Sequence, residues 1–238
     1  MGVLVVTGTG TDVGKTIVTA AIATLARDRG RRVAVLKPAQ TGLPDGAPGD
    51  LAEVRRLAGH VTTRELNRYP EPLAPGTAAE RAGMPPVHPA DIASAAIELS
   101  DHHDLVLVEG AGGLLVRFDP NGGTLADAAW ALSAPVLLVA EAGLGTLNSV
   151  ALSAEVMLRR GLDCMGVVVG RWPNEPDLAE RCNLADLPVA AGAPLLGVLP
   201  DGAARLTRAE FLAVARDSLS PVLDGEFDSE IFTAKHSA

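Results

Sequence analysis

The chain has 238 residues, 47% of them hydrophobic but only 3% aromatic, and a formal net charge of −9. That length accommodates one large α/β domain or two small ones, with a core made of Ala, Val and Leu. The acidic balance excludes a non-specific nucleic-acid binder, which needs a basic face, and no run reaches the ~18 consecutive apolar residues of a membrane span.

In chain order, the first element is the apolar run Val3–Val6, whose β-branched content is that of a buried strand. It lacks the basic start of a signal peptide and leads directly into Gly8, Gly10, Gly14, Lys15 and Thr16. Thr16 to Arg29 reads as a helix, its positive end facing that loop and the basic cluster Arg27, Arg29, Arg31 and Arg32 closing it. Backbone N–H groups, a helix dipole and the Lys15 ammonium then converge on one point. Such a point binds nucleotide phosphates, with the Thr16 hydroxyl placed for Mg²⁺. The loop is a lengthened variant: Thr9 stands where the common pattern has its first Gly, and Gly8 lies further back.

Further apolar runs follow at Val33–Leu36, Leu105–Val108, Val136–Ala140, Val167–Val169 and Leu195–Leu199. Each is nearly all apolar rather than alternating, which predicts an α/β fold: a mostly parallel sheet with helices on both faces. The Pro-rich stretch from Tyr69 to Pro89 contains a short helical piece and reads as an excursion within the same domain. One domain is therefore expected over residues 1–224. The tail, residues 225–238, is expected to be loosely held and is assigned no chemistry.

Polar residues gather immediately after three of these runs, and in a parallel sheet such ends share one edge. Beyond the phosphate loop, Lys37 follows Val33–Leu36 and precedes Pro38, expected to fix a turn. Glu109 follows Leu105–Val108 and opens a glycine turn, Glu109 to Gly113. A carboxylate at the end of a buried strand needs a partner or a metal, so Glu109 beside Thr16 points to a Mg²⁺ ligand. Asp50 reads as a helix N-cap. Asp12 leaves three readings open: a ribose contact, a substrate-amine contact, or a turn former.

The stretch Ala142 to Val150 (AGLGTLNSV) is a Gly-rich entry to a helix. Its N–H groups suit a carboxylate or phosphate, or it is a plain helix start capped by Thr146 or Asn148. Gly170 to Pro176 and Gly197 to Pro200 form either walls of a nucleobase pocket, with Trp172 as a flat surface, or surface loops. His60, His88, His102, His103 and His236 show no metal spacing and are expected to be solvated. The two cysteines form no metal-ligand pattern; Cys164 reads as inert core, and such sparse usage fits a reducing cytoplasm.

Taken together, GTGTDVGKT, KPAQTG and EGAGG, in this order and at these distances, resemble the dethiobiotin synthetase family over nearly the whole chain. That resemblance implies a P-loop NTPase-like, single-domain, cytoplasmic homodimer that binds ATP, Mg²⁺, CO2 or bicarbonate, and 7,8-diaminononanoate. It implies Lys37 and Lys15 as catalytic, and it moves Asp50 from N-cap to metal ligand with Thr16 and Glu109. Nucleotide contacts are implied at Asp12, Val13, Gly14, Lys15, Thr16, Ile17, Asp50, and Glu109 to Gly112 (Gly110 and Ala111 between them). Gly170, Arg171, Val198, Leu199 and Pro200 complete that set, with Asn174 the nearest candidate for a base-contacting Asn. Substrate contacts are implied at Thr11, Lys37, Thr41 and Gly113, and at Leu144, Gly145, Leu147 and Asn148 reaching across a dimer interface. Two relatives fit less well. A cobyrinic acid a,c-diamide synthase needs a glutaminase domain with a catalytic Cys. A ParA-like switch ATPase carries an additional Lys near Gly8 and Thr9.

Overall fold

The computed structural model describes residues 2–236. Its strands are β1 (Val3–Gly8), β2 (Val33–Thr41), β3 (Thr62–Tyr69), β4 (Leu105–Gly113), β5 (Val136–Ala140), β6 (Cys164–Trp172) and β7 (Leu195–Pro200). The helices are α1 (Lys15–Asp28), α2 (Asp50–Ala58), α3 (Pro75–Ala82), α4 (Pro89–Ser100), α5 (Leu125–Leu132), α6 (Thr146–Arg159), α7 (Leu178–Ala191), α8 (Arg208–Ser218) and α9 (Ser229–His236). Among the described residues the strands form one sheet of seven in the order β3-β2-β4-β1-β5-β6-β7, every pair parallel. A single sheet running through the chain makes this one P-loop-type α/β domain.

The period-2 alternation of strand side chains divides the core into two layers. Leu4 and Val6, Leu105 and Leu107, and Leu137 and Val139 face one side, where α1, α2 and α8 pack through residues such as Ile22, Leu57 and Phe211. Val5, Val106, Val108, Val136 and Leu138 face the other, under α3 to α7. Both faces are covered, so the strands read as apolar runs without alternation.

Two strands run further than their apolar stretches. Lys37 and Pro38 lie inside β2, not in a turn. Pro38 lies past the last register pair with β4, Leu36 opposite Val108, where its missing N–H disturbs the sheet little. The glycines after Glu109 likewise continue β4 instead of turning. A Cβ on Gly110 would lie 2.6 Å from Leu125 Cδ2, so glycine there admits α5. β3 has no apolar run and is an edge strand. Its charged side chains occupy themselves locally, Arg68 with Glu65 and Arg64 with Glu98.

Beyond Asp224 the chain is packed rather than loose as far as the description runs. Phe227 is buried, and Phe232 of α9 joins the core beneath α7. The last two positions of the expected tail, 237 and 238, lie outside the described residues. Several histidines also have partners. His88 Nδ1 lies 2.8 Å from Asp119 Oδ2, His103 bridges the Leu99 carbonyl and Thr62, and the His236 ring stacks on Phe232. Cys164 is half-buried and burial pushes its thiol pKa up, which fits the inert role expected of it.

Candidate active site

Register explains why residues far apart in sequence meet. Leu36 lies opposite Val108 in the β2–β4 pair, so Lys37 and Glu109 follow side by side. Both stand at odd offsets from the layer facing α3 to α7, and so point toward α1 and α2. Those helices bring Thr16 and Asp50. The Lys37 ammonium lies 2.8 Å from Glu109 Oε1 and 2.6 Å from Asp50 Oδ2, and donates to the Gly110 carbonyl at 3.0 Å. The Thr16 hydroxyl donates to the same Glu109 oxygen at 2.8 Å. Burial alone would lower the Lys37 pKa, but Glu109 and Asp50 outweigh it and hold the ammonium above its usual value.

Glu109 is only 1% exposed, and its other oxygen, Oε2, has no hydrogen-bond partner. A buried acceptor left open in this way is costly unless something comes to meet it. Glu109, Asp50 and the Thr16 hydroxyl are hard oxygen donors, the set that suits Mg²⁺ shared with substrate phosphates. Among the described residues no three His, Cys, Asp or Glu side chains cluster as a closed protein-only metal site.

The phosphate loop leaves β1 and closes on β6. Gly14 has φ +96°, and a Cβ there would lie 2.5 Å from the Gly170 carbonyl oxygen. Backbone therefore packs directly on backbone. Asp12 also sits at positive φ, which its short polar side chain tolerates. α1 starts without a side-chain cap, leaving its positive end available to an anion. Lys15 folds back over the loop and donates to the Gly10 carbonyl at 2.7 Å. Burial lowers its pKa, and neighbouring Lys37 pushes the same way.

These groups line one cleft of about 650 Å³. Of the expected residues it gathers Thr11, Asp12, Gly14 to Ile17, Lys37, Thr41, Asp50, Glu109, Ala111, Gly112 and Arg171. Gly110 contributes its carbonyl to Lys37. Val13 turns to a neighbouring cavity of about 240 Å³, where Arg171, Pro173 and Asp201 stand beside Asp12. Val198 and Leu199 are buried within β7, outside the cleft, and Gly170 meets the loop by backbone alone.

Trp172 is no open platform: it packs edge-on against Phe232 at 5.7 Å, and alternation along β6 sends Arg171, not Trp172, toward the loop. Neither Thr146 nor Asn148 caps α6; its N-cap is Gly145, at φ +89°, and the Thr146 hydroxyl donates to the Glu141 carbonyl. Leu144 is 88% exposed and, with Gly145, borders a separate small cavity beside the loop. Asp50 does not act as an N-cap either, since Gly49 holds that position in α2. The far wall of the cleft, Pro72 to Pro75 and Val116, carries no motif that marks it in the sequence, although the Pro-rich excursion lies near the strand ends as expected.

A family model described as an AAA domain matches residues 3–205. The ATP-dependent dethiobiotin synthetase of Saccharopolyspora erythraea is 67% identical over 227 residues, covering 95% of this chain and 99% of its own length. That of Streptomyces coelicolor is 60% identical over 236 residues, covering 99% of each. The chain belongs to the ATP-dependent dethiobiotin synthetase family. Membership makes it an ATP-dependent ligase with a P-loop. The fold itself extends further. The cell-division ATPase MinD of Pyrococcus furiosus aligns with TM-score 0.53 at 21% identity over 100% of this chain and 95% of that one. MinD of Pyrococcus horikoshii, complexed with Mg-ADP, aligns with TM-score 0.55 at 16% identity over 90% of this chain and 91% of that one. At that identity the likeness concerns architecture alone. In this chain Lys37, Asp50, Thr16 and Glu109 form one connected cluster beneath the phosphate loop.

Proposed function

We propose that this chain closes the ureido ring of dethiobiotin, joining 7,8-diaminononanoate and CO2 at the expense of ATP. The observation that supports the reading best is the buried Lys37, held charged between Asp50 and Glu109 on the floor of the cleft. A neutral amine of the substrate adds to CO2 and loses a proton, giving a carbamate. The carbamate oxygen then attacks the γ-phosphorus of ATP and ADP leaves. The second amine attacks the resulting carbamic-phosphoric anhydride at its carbonyl carbon, expelling phosphate and closing the ring.

Each step develops or moves negative charge, and a lysine that stays protonated is suited to hold the carbamate against the γ-phosphate. Thr16, Asp50 and Glu109 would hold Mg²⁺, which supplies charge neutralisation to the phosphates when bound. Thr11 and Thr41, on the cleft wall, offer hydroxyls to the diamine.

Leu144, Gly145, Leu147 and Asn148 lie outside the chain's own cleft, at the uncapped start of α6. In a homodimer they would face the cleft of a second copy and receive the substrate carboxylate through free helix N–H groups. We place the enzyme in the cytoplasm, in keeping with its two free cysteines.

Phosphate release from ATP and Mg²⁺ should require both 7,8-diaminononanoate and bicarbonate. Release indifferent to the diamine would overturn this reading in favour of a switch ATPase. Lys15 adds a pH signature. Its pKa is lowered in the free enzyme, and bound phosphates would raise it again. Nucleotide binding should therefore take up protons between the lowered value and the usual 10.5, with affinity falling as pH rises through that window. Calorimetry in buffers of different ionisation enthalpy reads the uptake, and Lys15→Arg should remove it.

A further inference from the structure

Gln40 is a buried polar side chain that belongs neither to the phosphate loop nor to the proposed metal ligands. Its Oε1 accepts the backbone N–H of Asp50, the first residue of α2, at 2.9 Å. The N-cap of α2 is Gly49, which has no side chain to cap with. Gln40, reaching over from β2, supplies an acceptor to the first of the N–H groups that a helix start leaves open. The fit is close on both sides. A Cβ on Gly49 would lie 2.6 Å from Gln40 Oε1 and 3.0 Å from Arg68 Nη2. Arg68 is itself held by Glu65 at 2.8 and 2.9 Å, and it donates to the carbonyls of Ala47 and Pro44 at 2.6 and 3.3 Å. The segment entering α2 is thus clasped from β2 and β3, and its first side chain, Asp50, is delivered to Lys37.

We propose that Gln40 is a positioning residue: by capping α2 from the neighbouring strand it fixes the Asp50 carboxylate where the metal ion of a bound nucleotide must find it. This rests on the reading of Thr16, Asp50 and Glu109 as Mg²⁺ ligands. Gln40 also borders the cleft, but its side-chain oxygen is committed to the Asp50 N–H, so its effect on the metal is expected to run through Asp50. Apart from the stability that a lost cap costs, its removal should therefore appear in the metal-dependent part of nucleotide affinity and not in the metal-free part.

The test is ADP binding by calorimetry, with Mg²⁺ and with EDTA, in wild type, Gln40→Met, Gly49→Ala, Asp50→Asn and the Gln40→Met/Asp50→Asn double variant. Gln40→Met keeps the side chain's length and loses the acceptor. It should weaken Mg²⁺-dependent ADP binding about tenfold, in the range seen when partners that orient metal ligands are lost. ADP affinity in EDTA should be unchanged, and the loss should vanish in the Asp50→Asn background. Gly49→Ala, whose methyl presses on Gln40 from the other side, should reproduce the split and carries the test if Gln40→Met does not fold. Equal losses with and without metal, additive losses in the double variant, or an undiminished Mg²⁺ response in either single variant would overturn the positioning role. A wild type that binds ADP no better with Mg²⁺ would overturn the metal reading itself, and this proposal with it.

Discussion

Lys37→Met should cripple ring closure and destabilise the fold together, and the two losses should be separable. Lys37 is 3% exposed and serves Glu109, Asp50 and the Gly110 carbonyl at once. Without it, Glu109 retains only the Thr16 hydroxyl on one oxygen and nothing on the other. Breaking a buried ion pair by removing one partner costs about 3–5 kcal/mol, because the remaining charge stays buried. At 2–4 °C per kcal/mol for a chain of this size, a melting temperature lower by roughly 10 °C is expected. Turnover should fall on the order of 10²–10³-fold or more, the scale on which a single donor to developing charge acts. Lys37→Met/Glu109→Gln removes the uncompensated charge. Its melting temperature should return most of the way while turnover stays as low as in Lys37→Met. A double variant as unstable as Lys37→Met would mean the ammonium supports the fold by something other than this pair.

The same residue has a pH signature. Its folded pKa lies above the usual 10.5. The stabilisation it brings is therefore complete below about 10.5 and is lost only as pH climbs through the folded value. Chemical denaturation of the wild type should show this alkaline loss, and Lys37→Met should not.

The layering of the sheet was legible because both its faces are covered. Leu4–Val6, Leu105–Val108 and Val136–Ala140 bury every side chain, so the run of apolar letters is the strand. That logic fails at the carboxyl ends, where a strand passes from beneath its helices to the edge of a cleft. Lys37 to Thr41 and Glu109 to Gly113 keep strand geometry while changing chemistry, so polar letters there were mistaken for turns. It fails again at β3, which satisfies its polar side chains on the edge of the sheet. Lys37 and Glu109 announced themselves by abrupt polarity after buried runs, and Thr16 by the glycine-rich loop that leads into it. Gln40 did not, because its role depends on Gly49, which packs against both Gln40 and its strand neighbour Arg68, and only the folded chain brings these together. The packed segment after Asp224 was hidden for a related reason: Phe227 and Phe232 are isolated apolar letters among charges, and their partners lie on β6 and α7.

The second large effect is expected where the phosphate loop closes on β6, at Gly14 and Gly170, and three alanine variants divide it into its causes. Gly30 has φ +78° with nothing within 4 Å of a built Cβ. Gly30→Ala therefore meets only the backbone penalty of the left-handed region, about 1 kcal/mol. Gly170 is not at positive φ, but a Cβ there would overlap the Val13 carbonyl and lie 3.1 Å from Gly14 Cα. Gly170→Ala meets steric crowding alone, about 1–3 kcal/mol. Gly14 combines a φ of +96° with a Cβ 2.5 Å from the Gly170 carbonyl oxygen, and should suffer both. The obstacle at each of the latter sites is backbone, which cannot swing aside as a side chain does, so relief must come from moving the loop off β6. That displacement carries Lys15 and Thr16 with it. A shift of about 1 Å in positioning groups can cost on the order of 10²-fold in function. Urea denaturation should rank the variants Gly30→Ala, Gly170→Ala, Gly14→Ala in increasing destabilisation. ADP affinity should hold in Gly30→Ala and collapse in the other two. A Gly170→Ala protein that binds ADP like the wild type would mean that the contact with β6 is not what sets the loop.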